Sequence, residues 1–168
     1  RNQLLLAEQA LEQLQAETSR SGVEEYLFGC NLAASRLALR RGQISRAREI
    51  MAATQRRYEG REESALWNCH CALLACVLAR TGEVSAFLEA ARSAVSAICK
   101  RPSGVVWEGD LHILLWVELS AVLQKEPQHA VPIRQLLSTL ASGPLSRLKS
   151  VPIARPGLLI VDALEAAD

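Results

Sequence analysis

The chain reads as an all-α protein built from stacked antiparallel helical hairpins, about seven to eight helices in all. Three observations predict it. Ala65 to Ala97 forms two apolar helical segments that fold back on each other at Thr81-Gly82-Glu83. The same layout occurs forty residues upstream, turning at Arg41-Gly42-Gln43. Elsewhere, apolar residues recur at three- and four-residue spacing, as the buried stripe of a helix requires.

The first helix is expected over Asn2 to about Ser19, with Leu4, Ala7, Leu11 and Leu14 as its packing stripe and Ser21-Gly22 as its stop. The second runs from about Val23 to Arg41 and is rich in small residues, among them Gly29, Ala33 and Ala38. Gly42 is the expected C-cap, because glycine enters the left-handed region without a Cβ clash. The third helix, about Ser45 to Tyr58, presents Ala47, Ile50, Met51 and Thr54 on one face.

Gly60 and the Glu62-Glu63 pair open the fourth helix, whose acidic first turn suits the positive end of the helix dipole. From Ala65 to Leu78 it is apolar nearly all round, so it is expected to be the most buried. The fifth helix, about Val84 to Lys100, ends before Pro102. Ser103 to Asp110 reads as a loop broken by Gly104 and Gly109, with a sixth helix over about Leu111 to Gln124. The seventh, roughly Pro127 to Leu140, contains Pro132, which implies a kink or a true start nearer Val131. Ser142-Gly143-Pro144 is expected to end it. An irregular basic stretch follows, and a capping helix near Leu158 to Ala167 closes the chain. The whole is read as one domain, 1–168, comprising an N-terminal helix (1–22), hairpin repeats (23–142) and a C-terminal segment (143–168). Its first residue is Arg, which is expected of a fragment of a longer protein.

Composition narrows the function. Net charge is +1 and charged residues make up 22%, so no excess of cations argues for nucleic acid or an anionic membrane. No apolar run has the length of a membrane span. The five cysteines, Cys30, Cys69, Cys71, Cys76 and Cys99, fall inside apolar helical patterns. They read as reduced thiols packed as small hydrophobes, which implies an intracellular chain, cytoplasmic or nuclear.

With Gly42 and Gly82 in register, Ser35 aligns with Ala75, Ala38 with Leu78, and Ala47 with Phe87. This layout resembles the tetratricopeptide (TPR) repeat, in which a small residue on the first helix packs against a second helix entered through a glycine turn. Gly42 and Ala47 fit that pattern, and Gly82 fits with Phe87 in place of the alanine. A third copy, at Glu118, Ala121, Lys125 and Ala130, has no glycine. The resemblance spans about Val23 to Leu140, with a period of forty rather than 34. It implies a TPR-like α-solenoid whose concave face is lined by the second, fourth and sixth helices and holds partner segments.

Candidate chemistry is sparse. Cys69-His70-Cys71 looks like a metal motif, but successive helical residues point about 100° apart and cannot converge on one ion. No metal site and no cofactor are expected. No nucleophile elbow, phosphate loop or dinucleotide fingerprint is present, so no catalytic residue is assigned. The densest basic cluster is Arg36, Arg40 and Arg41, followed by Arg46 and Arg48, with Arg56, Arg57 and Arg61 beyond. Trp107 stands in the expected loop before the sixth helix, where a large ring suits an interface anchor. The expected function is therefore an interaction scaffold or adaptor, a subunit of a larger complex. Arg36, Arg40 and Arg41 would meet acidic partner groups, and Trp107 would serve as an apolar anchor. Two further classes stay open: a regulatory or oligomerisation module of a multidomain, transcription-regulating protein, and nucleic-acid binding through the arginine face.

Overall fold

The computed structural model describes residues 2–60, 65–100 and 106–146, and side chains within 3–60, 66–100 and 110–146. Among the described residues the regular structure is entirely helical. Seven α-helices follow one another: α1 (Asn2–Ser21), α2 (Glu24–Arg40), α3 (Ile44–Arg57), α4 (Ala65–Thr81), α5 (Val84–Lys100), α6 (Val106–Lys125) and α7 (Ala130–Leu140). Consecutive helices pack as pairs, α2 with α3, α4 with α5 and α6 with α7, while α2, α4 and α6 also pack in succession. That is a stack of hairpins, as the sequence pattern predicts.

The two glycine corners are built alike. Gly42 has φ of 74° and Gly82 of 78°, the left-handed region. In the first, the Gln43 and Gly42 amides donate to the carbonyls of Ala38 and Leu39. In the second, the Glu83 and Gly82 amides donate to those of Leu78 and Ala79. This is the six-to-one and five-to-two pairing of a Schellman cap, which satisfies carbonyls the helix end would leave bare. The next helix then starts identically, with Ala47 donating to Gln43 and Phe87 to Glu83. Ala47 and Phe87 are both fully buried, as are Ser35 and Ala75 one helix earlier.

The core runs through the middle of the stack. α4 supplies Leu73, Ala75, Cys76 and Val77, and α5 supplies Phe87, Ala91 and Ala94. α6 adds Leu115, Trp116 and Leu119, and α7 adds Ile133 and Leu140. Burying one leucine-sized side chain contributes about 1.5–3 kcal/mol, so this layer outweighs any surface interaction. Arg80, near the end of α4, ties the first helices together. Its guanidinium donates to Glu118 of α6 at 2.7 Å and to the Leu39 carbonyl of α2 at 3.4 Å. Glu118 stands where the other two copies carry Ser35 and Ala75.

Four expectations are corrected, and one left open between two readings is resolved. Ser103 to Asp110 is not a loop throughout: α6 begins at Val106, so Trp107 lies on a helix. Gly109 costs a helix interior only about 1 kcal/mol, which the buried Leu111, Ile113 and Leu115 further along α6 outweigh. Of the two readings of Pro132, the later start holds: α7 begins at Ala130 after a 3-10 turn, Pro127–His129, with Pro132 in its own first turn, where a proline lacks no useful donor. Ser142-Gly143-Pro144 does not end the helix, which passes into a π turn, Ala141–Leu145, whose wider register accommodates a residue without an N–H. Cys99 is exposed rather than packed. Leu14 is 48% exposed and Ala7 also faces outward, so α1 packs through Leu4, Leu11 and Thr18 instead. The capping helix and the basic stretch from 147 onward lie outside the described residues, as do Glu62 and Glu63.

Candidate functional site: a leucine-floored groove

Small residues on α2 let a groove form. Gly29 and Ala33 lie on the helix face that also carries Arg36 and Arg40, and a Cβ placed on Gly29 would meet nothing within 4 Å. The groove has a volume of about 560 Å³ and is formed by α1, α2, α4 and α6. Its floor is apolar, with Leu32, Leu73 and Leu111 all buried. It is the face on which the sequence places the second, fourth and sixth helices, with α1 added as a wall.

The predicted arginines are distributed unevenly. Arg36 and Arg40, one turn apart, both line the groove. Arg36 donates to Asp110 of α6 at 2.8 Å, across the width of α4. Arg40 is exposed and forms no ion pair among the described residues. Arg41 turns away and pairs with Glu8 of α1. Trp107 lies on α6 three residues before Asp110, and its side chain lies outside the described residues. Arg36 and Arg40 are therefore brought together, Arg41 is diverted, and Asp110 is an unforeseen member of the site.

Ion pairing also takes up two arginines of the second basic cluster, whereas Arg46 and Arg56 form no ion pair among the described residues. Arg48 meets Glu83 at 2.7 Å, and Arg57 meets Glu24 at 2.7 Å. The hydrogen bond to Glu24 raises the Arg57 pKa above its ordinary value. Arg57 also lies 6.0 Å from the centroid of Tyr58, whose ring stacks on Phe28. A face whose arginines are matched by carboxylates in this way presents less net charge to a phosphate backbone.

On the opposite side of α4, a cleft of about 760 Å³ opens between α3 and α5. His70 lies at its base, 1% exposed and stacked on Trp67 at 4.8 Å, and neither ring nitrogen has a hydrogen-bond partner among the described residues. Burial pushes the His70 pKa down to about 4 and does the same to His112. Burial pushes the Cys76 thiol up. Each shift moves the group away from the near-neutral pKa that a general base or a thiolate nucleophile needs. Among the described residues no three His, Cys, Asp or Glu side chains gather as a metal site, and no helix is long and apolar enough to cross a membrane.

Comparison of the chain with protein-family models, with curated proteins and with solved structures finds no match.

Proposed function

We propose that this chain is a TPR-like interaction domain, a scaffold or adaptor within a larger intracellular assembly, that holds an extended acidic segment of a partner protein. The observation that carries the reading is the groove of α1, α2, α4 and α6, which combines a leucine floor with two guanidinium groups at its edge. Apolar floor supplies burial and charge supplies orientation, the usual division of labour in a peptide-binding site. A groove lined by helices of a packed stack is already shaped, so little ordering cost falls on the receptor. Four of the five cysteines are buried thiols, which suits a reducing compartment.

Display selection of peptides on the chain tests the reading. Selected sequences are expected to mix leucine-type and acidic residues. Gly29→Phe, which fills the groove, and Arg40→Glu, which inverts its edge, are each expected to weaken binding at least about tenfold while thermal melting is retained. Selected peptides that bind both variants as tightly as the parent would place the site elsewhere.

A second reading, the oligomerisation module, rests on α1, where Leu5 is 54% and Leu6 63% exposed. Sedimentation velocity separates the two: a sedimentation coefficient that rises with concentration and is reset by Leu5→Gln with Leu6→Gln favours self-assembly.

A further inference from the structure

We infer that Asp110 occupies the seat of a partner's carboxylate, so that the groove binds its acidic ligand by exchange with the chain's own side chain. The inference rests on the groove reading above. Arg36 and Asp110 lie 74 residues apart and meet across the groove, from near the C-terminal end of α2 to the opening turns of α6. The pair sits at the groove edge, over the leucine floor, where any chain lying in the groove must pass.

The pair is also built to give way. The Asp110 side chain is 54% exposed and that of Arg36 is 25% exposed, so water competes for both ends. The contrast is with Arg80 and Glu118, where Glu118 is 10% exposed and accepts two guanidinium contacts, at 2.7 Å each. That pair is part of the core's edge and holds the stack. The Asp110 pair closes only the mouth.

One turn from Arg36, Arg40 is exposed and carries no carboxylate among the described residues. An incoming acidic segment therefore meets Arg40 first, without displacing anything. The second carboxylate must take Arg36 from Asp110. Same-face side chains of an extended segment are about 6.6 Å apart, close to the roughly 5–6 Å between residues one helical turn apart, so acids at alternate positions suit the two arginines. Asp110 thus sets a threshold. A single carboxylate gains Arg40 alone, whereas paired acids gain both.

The test uses the full 168-residue chain and a fluorescein-labelled ten-residue peptide alternating leucine and glutamate, with a leucine–glutamine peptide as control. Anisotropy gives the affinity of the parent, Asp110→Asn, Arg36→Gln and the double variant. Asparagine keeps the size of the side chain and removes the competing charge. Asp110→Asn is expected to tighten the glutamate peptide by about two- to fivefold, the range an exposed ion pair is worth, and to leave the control unchanged. In the Arg36→Gln background the same change is expected to have no effect. If the parent binds the glutamate peptide and Asp110→Asn leaves its affinity unchanged or weakens it, Asp110 is a structural strap and the exchange is refuted, with the groove reading intact. If neither the parent nor Asp110→Asn prefers glutamate over glutamine, both fall together.

Discussion

Replacing His70 by phenylalanine removes a buried imidazole whose two nitrogens have no partner among the described residues, and it should stabilise the chain most in mild acid. An unfolded histidine takes up a proton below about 6.5, while His70 in the fold stays neutral down to about 4. Between those values the unfolded state binds more protons, so stability falls as pH falls through that window. Linkage between these two values gives a loss of about 2 kcal/mol from His70 on going from about pH 7 to about pH 5. With a urea m-value of about 2 kcal/mol/M for a domain of this size, the midpoint drops by about 1 M on its account. Phenylalanine keeps the stack on Trp67, and the cleft between α3 and α5 gives the larger ring room. The variant should gain about 1 kcal/mol at neutral pH, from the unsatisfied nitrogens removed, and about 3 kcal/mol at pH 5. Urea unfolding of both proteins at the two pH values, followed by circular dichroism, measures the difference. His112 contributes the same kind of slope to both proteins and cancels in the comparison. A parent and variant with parallel pH dependence would show that the imidazole is solvated in the native state, and the reasoning from burial would fail.

Gly42→Ala and Gly82→Ala should each cost about 1–2 kcal/mol, the penalty for a Cβ in the left-handed region, since neither added methyl meets an atom within 4 Å; thermal melts showing one corner indifferent would break their equivalence. Glu118→Ala should cost about 1–3 kcal/mol by urea titration, because it strands Arg80, and the partial exposure of that arginine keeps the loss below that of a deeply buried pair. Native protein should release thiol-reagent colour from one cysteine, Cys99, within seconds to minutes, and denatured protein from all five. Fast reaction of a second thiol would mean that α4 or α2 opens readily.

Much of the architecture is written in local chemistry. Gly42 and Gly82 announce their corners because a left-handed residue leaves a compositional mark, and helical periodicity marks what lies between them. The third corner, at Lys125-Glu126-Pro127, carries no glycine and is harder to align. The misread stretches share a cause. Gly109 and the Gly143-Pro144 pair are breakers by local preference, yet the tertiary setting carries the helix through both. The site was half legible. Arg36 and Arg40 stand out as a basic pair one turn apart, but Asp110 and Glu8 reach their arginines across the fold, and no spacing rule links residues 74 positions apart. Trp107 drew notice by being in a supposed loop, and that ground disappears once α6 begins at Val106.

Arg80 works as a cross-brace among the three inner rods. Its single guanidinium spans from the last turn of α2 to the second half of α6, and one turn back along α2 the Arg36 clasp reaches the opening turns of α6. A lysine in place of Arg80 has one charged centre rather than a fork, so it would not hold both neighbours as the guanidinium does.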